Sequence, residues 1–385
     1  MNRPLLLLAC LFAGCGVLHA QWDLEDSHTT ADLRGIDNVG GGVAWASGTN
    51  GTVLRTEDGG YLWQACAVPP GAEHLDFRGV QAFDANTAIV MSSGKGDLSR
   101  LYKTTDGCHK WKLILRNHDK DGFWDALYFD RHQWGWLLGD PVKGTFVLFK
   151  SDDKGRTWIR QHNKGLRVQT GAQSAFAASN STLTAFGGTP NFASGGTAGA
   201  FFYSVVEVTI CLDCSEENID HEGRLDGWER VAVPAGSRTD SSGVFSIAVR
   251  RSADNPHVFE TLVAVGGDFR LPDRSGDTAS VCRYETGDIR FAHLHCDAAQ
   301  TPPHGFRSAV AYDAGTETWI TVGPNGTDIS TDDGRNWRAL RPDPALHDAA
   351  DADRDWNALS LPFVVGPHGR IGKLRSNALA LGKGK

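Results

Sequence analysis

Short apolar runs of strand length recur along this chain, each broken by a Gly-rich polar turn. One unit reads as an apolar strand, a second strand, a Gly-rich turn, and a third strand ending in a hydroxyl- and Asp-bearing turn. The first strands align as Leu33-Arg34-Gly35-Ile36, Phe77-Arg78-Gly79-Val80, Phe123-Trp124-Asp125-Ala126, Ala172-Gln173-Ser174-Ala175, Val244-Phe245-Ser246-Ile247, Phe306-Arg307-Ser308-Ala309 and Asp355-Trp356-Asn357-Ala358. The turns align at Gly48, Gly94, Gly139, Gly187, Gly266, Gly323 and Gly366. Most units lie about 45 to 50 residues apart, the spacing of four-strand propeller blades. The pattern therefore predicts an all-β, seven-bladed β-propeller of four-stranded blades.

The third strands end in a shared motif of BNR (Asp-box) type, Ser/Thr-x-Asp-x-Gly-x-x-Trp. It occurs at Thr56–Trp63, Ser151–Trp158 and Ser330–Trp337, and at Thr104–Trp111 with Cys108 in place of the glycine. The hydroxyl and the Asp bond backbone N–H groups inside the turn. The glycine takes a conformation other residues resist, and the tryptophan buries its ring against the next strand. Asp58, Asp106, Asp153 and Asp332, with Trp63, Trp111, Trp158 and Trp337, thus read as structural staples, not as catalytic or metal-binding groups. The fourth repeat keeps only Asp226-Gly227-Trp228, and the fifth has Cys282 to Cys296 where a box belongs. The stretches around Thr189–Ala200 and Cys211–Asp226 read as loops.

The seventh unit lacks a fourth strand. Gln21-Trp22-Asp23-Leu24 resembles the strand that follows each box, as in Trp111-Lys112-Leu113. The N-terminal segment is therefore expected to close the ring, which removes free sheet edges. One propeller spans residues 21–374, with a mobile tail over 375–385.

Residues 1–20 form an export signal, with Arg3 ahead of an apolar run from Leu5 to Phe12. Two processing routes stand open: cleavage after Ala20, or lipidation of Cys15 in Phe12-Ala13-Gly14-Cys15. Either predicts a periplasmic or cell-envelope protein. Six cysteines follow, and an even count in an oxidising compartment favours disulfides. Cys66 and Cys108 lie near the turns of neighbouring repeats, within reach of a bridge. Cys211-x-x-Cys214 lacks the helix of a redox motif and reads as structural.

Net charge is −8 over 385 residues, with no basic stripe, so nucleic acid is not an expected partner. No apolar run is long enough to span a bilayer. No Gly-rich loop joins a strand to a helix, so no nucleotide or flavin cofactor is expected. A monomer is expected.

The first strands of a propeller line its channel. The aligned positions Arg34, Arg78, Trp124, Gln173, Phe245, Arg307 and Trp356 would ring one mouth. Arginine binds carboxylates in bidentate fashion and tryptophan adds rigid contact area. Arg34, Arg78, Trp124, Arg307 and Trp356 are the candidate partner-binding residues. The competing reading pairs these arginines with Asp125, Asp140 or Asp268 across the channel.

These strands, turns and boxes resemble the photosystem II stability/assembly factor family over roughly residues 22–374. The resemblance implies a non-enzymatic propeller that helps assemble a membrane complex through an Arg-rich patch near the channel. Arg34, Arg78 and Arg307 match its Arg-bearing strands; Trp124 and Trp356 depart from them. The expected function is that of an exported scaffold binding a protein partner, such as a membrane-complex subunit. The alternative is a sialidase-like glycoside hydrolase acting on an acidic glycan. Phe269-Arg270-Leu271-Pro272 resembles a sialidase motif, and Tyr203 with Glu207 or Tyr284 with Glu285 would supply the nucleophile pair.

Overall fold

The computed structural model describes residues 22–379, apart from 131, 163, 169–171, 187, 206–227, 253–258, 285–293 and 377. Residues 1–20, expected to be an export signal, with Cys15, the pair Cys211 and Cys214, and Glu207 and Glu285 lie outside the described residues. So do residues 380–385.

Seven antiparallel sheets form a ring. Blade one is Leu33–Gly40, Val43–Gly48, Val53–Thr56 and Gln64–Ala65; blade two is Phe77–Ala82, Ala88–Ser92, Arg100–Thr104 and Lys112–Arg116. Blade three starts at Trp124–Phe129, blade four at Leu183–Phe186, blade five at Ser242–Arg251, blade six at Ala309–Asp313 and blade seven at Ala358–Ser360. Blade seven takes its outer strand from the chain start. Trp22–Glu25 pairs antiparallel with Ile371–Leu374, so that Trp22 faces Leu374. The packed chain runs on past Leu374: Arg375 binds Asp23 at 2.7 Å, and Leu379 is buried with Trp22 and Trp356.

The core sits between blades rather than at the axis. Trp45 and Val53 of blade one pack with Phe77, Val80, Val90 and Tyr102 of blade two. Alternate residues of each strand meet the facing sheet, which explains the half-apolar pattern. Polar pins join the inner strands. Ser308 Oγ donates to the Trp356 carbonyl at 2.7 Å, and Asn357 Nδ2 donates to the Leu33 carbonyl at 2.8 Å.

The hydroxyl–Asp turns share one geometry. Thr56 donates to Asp58 at 2.8 Å and Ser151 to Asp153 at 3.0 Å; Gly60 and Gly155 donate their N–H groups back to those hydroxyls. Thr104 with Asp106 and Ser330 with Asp332 repeat it. Trp63, Trp111 and Trp337 are buried; Trp158 is half-buried and meets Phe129 edge-on. Cys108 holds φ of 65° where its counterparts are glycine. That left-handed conformation is costly for a side-chain-bearing residue, and Cys108 is fixed there by a disulfide to Cys66 that ties blade two to blade one. Cys282 and Cys296 bridge the third and fourth strands of blade five.

Blade four departs from the sequence reading. Its inner strand is Leu183–Phe186, not Ala172–Ala175, and Thr189–Ala193 is its second strand rather than a loop. The Gln173–Ser174 strand instead pairs with Gly195–Gly196 beside blade five. Repeat four is rich in Ser, Ala and Thr, and one such run looks as strand-like as the next.

Candidate functional site

The inner strands of blades one, two, three and five each carry a β-bulge near their start. The register skips between Leu33 and Gly35, Phe77 and Gly79, Trp124 and Ala126, and Val244 and Ser246. The extra residues are Arg34, Arg78, Asp125 and Phe245. A bulge turns one side chain out of the sheet's alternation; here Arg34 and Arg78 are left partly exposed, while Asp125 and Phe245 are buried. Aligning the paired turn glycines Gly48, Gly139, Gly323 and Gly366 makes Ser308 and Asn357 their counterparts in blades six and seven.

Trp124, Arg307 and Trp356 consequently match Leu33 and Phe77, not Arg34 and Arg78. They occupy the buried slot one residue earlier. Trp124 packs edge-on to Phe149, and Trp356 lies against Trp22 and beneath Arg370. Arg307 is 0% exposed. Its Nε donates to Asp328 at 2.9 Å, its Nη2 makes a second contact to the same carboxylate, and Nη1 donates to the Phe306 carbonyl and Asn325. His304 also contacts Asp328 at 2.8 Å. Asp328 is held below the usual carboxylate range against its burial, by the His304 hydrogen bond and the Arg307 charge. The structure therefore leaves Arg34 and Arg78 at the mouth and removes Arg307, Trp124 and Trp356 from it.

Arg34 and Arg78 share one carboxylate. Arg78 Nε binds Asp76 at 2.8 Å and Arg34 Nε approaches it at 3.5 Å, with Asp32 3.8 Å from Arg34. Both arginines stay about one-third exposed. The acids were legible: Asp32-Leu33-Arg34-Gly35 and Asp76-Phe77-Arg78-Gly79 repeat the same Asp two residues ahead.

Beyond Arg78 lie Asp125, which is buried, and Asp140, which is half-buried. Burial and the neighbouring Asp140 push the Asp125 carboxyl well up, against the Arg78 charge. Burial pushes Asp140 up to about 7, opposed by the Ala175 N–H it accepts at 3.0 Å. Arg78 forms its ion pair with Asp76, and its charge also reaches Asp125. Asp268 is separate, and accepts from Thr239 and the Arg270 N–H.

A segment of blade four, residues 175–182, crosses the channel. Arg78 Nη1 donates to the Ala177 carbonyl at 3.1 Å. Asn180 accepts from the Leu127 N–H at 2.7 Å, and the Ile247 N–H donates to the Ser181 carbonyl at 2.8 Å. Blades two, three and five thus all grip it. The other side of the mouth is aromatic: Phe176 stacks on Phe245 at 4.0 Å, and Phe245 meets Phe306 and Phe269 edge-on. The sequence analysis missed this arc, because its rings come from three separate repeats.

Of the nucleophile candidates, Tyr203 is fully buried and donates to Gln173, and Tyr284 sits on a blade edge against Phe259. Neither reaches the mouth arginines.

No family model matches the chain, and no characterised protein matches it by sequence. Solved structures share the fold. YCF48 bound to a D1 peptide superposes with a TM-score of 0.57 at 14% identity, covering 92% of this chain and 97% of that one. YCF48 from Cyanidioschyzon merolae gives 0.58 at 18% identity, covering 92% and 99%. A GH74 xyloglucanase from Xanthomonas campestris gives 0.54 at 15% identity, covering 91% of this chain and 53% of that enzyme. The YCF48 neighbours make the propeller resemble a photosystem II assembly factor in fold.

Proposed function

We propose that this protein is an exported, non-enzymatic propeller that binds a segment of a partner protein at the surface around Arg34 and Arg78. Its role is that of an assembly or stability factor for a cell-envelope complex. Residues 1–20 direct export, ending either in cleavage after Ala20 or in a lipid anchor on Cys15. The observation that carries the reading is the pair of partly exposed arginines, Arg34 and Arg78, that share the Asp76 carboxylate. Guanidinium groups left partly exposed can take a carboxylate of a polypeptide segment. YCF48, which has this fold, takes a peptide, and the two disulfides suit an oxidising compartment.

The test is cross-linking in the native envelope followed by purification of the full chain, wild type beside Arg34→Ala/Arg78→Ala. Recovery of one envelope protein by wild type and its loss in the variant supports the reading. Equal recovery by both places the site elsewhere. Recovery of nothing, together with hydrolysis in an acidic-glycan screen, replaces it with the glycosidase.

A further inference from the structure

Residues 175–182 lie between the strands Gln173–Ser174 and Leu183–Phe186 and belong to neither. They read Ala175-Phe176-Ala177-Ala178-Ser179-Asn180-Ser181-Thr182, with Phe176 as the one large side chain. No strand ladder holds them, and Phe176 is only half-buried in its stack on Phe245. A segment with so little apolar contact opens more readily than the blades around it.

This strap crosses blade three beside a buried carboxyl. The Ala175 N–H donates to Asp140 at 3.0 Å, and Asn180 accepts from the Leu127 N–H at 2.7 Å. The Asp140 N–H in turn donates to the Phe123 carbonyl. Phe123 and Leu127 stand two residues either side of Asp125, so the strap's bonds bracket it. Asp125 is 1% exposed, and neither of its oxygens has a hydrogen-bond partner among the described residues. An ionised carboxylate in such a place is costly. Asp140 stands close enough for its charge to act on Asp125. Two ionised carboxylates so placed repel each other, and one proton relieves the pair. The cation facing Asp125 is Arg78 of blade two, itself paired with Asp76, which Arg34 of blade one approaches. Tyr203 of blade four is turned to Gln173. Neither the strap nor residues 244–246 of blade five carry a titratable side chain.

We infer that residues 175–182 form a strap latched by a proton: uptake by the Asp125–Asp140 pair holds it closed across blade three, and release of that proton loosens it. Lifting the strap lets water reach both carboxylates, which is what the ionised pair gains. The raised folded values of both acids fit this direction. The closed state keeps its proton up to about pH 7, whereas a hydrated Asp keeps one only to about 4. Opening therefore grows about tenfold per pH unit between those limits and levels off above them. The latch goes beyond the partner reading and stands without it. Arg78 also holds the Ala177 carbonyl, so loosening changes the surface proposed for a partner; that consequence alone rests on the partner reading.

The experiment is hydrogen exchange of the full chain, read by mass spectrometry from about pH 4.5 to 8 and corrected for the intrinsic pH dependence of amide exchange. The reporters are the Ala175, Leu127 and Ile247 amides, each bonded to or within the strap. Leu137 and Val263, buried within strands of blades three and five, are the controls. Corrected exchange at the reporters should rise about tenfold per pH unit between about pH 5 and 6.5, with no rise at the controls. In Asp125→Asn/Asp140→Asn the rise should vanish. A flat wild-type profile overturns the inference, and so does an equal rise in the variant. A rise shared by Leu137 and Val263 also overturns it, because the blades then open as a whole. Should the double variant not fold, Asp140→Asn takes its place, and an unchanged slope overturns the latch. All these outcomes leave the cross-linking test of Arg34 and Arg78 untouched.

Discussion

Arg307 and Asp328 form an ion pair with both side chains buried, in a slot that Leu33, Phe77, Trp124 and Trp356 fill with apolar groups in other blades. Buried pairs are weak net stabilisers, yet halving one is costly, because the remaining charge loses its partner. Arg307→Ala is expected to cost about 3–5 kcal/mol. Arg307→Leu combined with Asp328→Asn recovers much of that loss. Urea unfolding midpoints of the two variants check this, and equal midpoints would refute it.

Asp140 gives the opposite pH signature to a surface carboxylate. Its folded value is raised to about 7 by burial, whereas an unfolded Asp titrates near 4. The stability tied to its proton is fully present below about pH 4 and is lost as pH rises through about 7. Asp125 shifts in the same direction. Asp140→Asn keeps an acceptor for the Ala175 N–H and removes the charge. It should raise thermal stability at pH 8–9, by up to about 4 kcal/mol, and change little at pH 4. A melting series across that range decides it.

Asp153 works the other way. Hydrogen bonds from Thr157 and Ser151 outweigh its slight burial and hold it at about 2. Its contribution is present above about pH 4 and disappears as pH falls through about 2. Asp153→Asn should therefore flatten the acid limb of the stability curve below pH 4 and leave neutral fluorescence spectra unchanged.

The two disulfides constrain loops of different size. Cys66 and Cys108 are 42 residues apart and Cys282 and Cys296 are 14 apart. Chain-entropy reasoning assigns about 4 kcal/mol to the longer loop and about 3 to the shorter. Cys66→Ala/Cys108→Ala should lower the denaturation midpoint more than Cys282→Ala/Cys296→Ala. The Cys66 pair has a further reason: without its bridge, position 108 keeps a strained backbone. A glycine at 108 should recover part of the loss.

The fold was readable because strand, turn and hydroxyl–Asp motif repeat, and the closing strand shares the look of Trp111-Lys112-Leu113. Of the candidate partner-binding residues, Arg34 and Arg78 are partly exposed, while Arg307, Trp124 and Trp356 lie buried one residue earlier in register. Alignment on Ile36, Val80 and Ala126 slips by one, because Ala126 is apolar like Ile36 although its counterpart in register is Gly35. In a strand one residue is the difference between core and surface. The turn glycines would have fixed the register, since Gly48 and Gly139 face Leu33 and Trp124. Phe176 was hidden for another reason: nothing local marks residues 175–182 as crossing a channel.

The seam between Trp22–Glu25 and Ile371–Leu374 imposes a schedule on biosynthesis. Asp23 and its partner Arg375 are 352 positions apart. At ribosomal speeds the first strand waits on the order of tens of seconds for the last one. Until the last strand is made, Trp22–Glu25 has no strand to pair with, and Trp22 has only its blade-six neighbours such as Ile320, Val322 and Ile329. A chain carrying this seam has its longest vulnerable moment at birth, and a holding factor would be needed at its beginning rather than its middle. Joining the two ends and opening the ring between blades one and two, at Pro69-Pro70, would build every blade's strands in succession, and its effect on yield would show how much of the protein's cost lies in time.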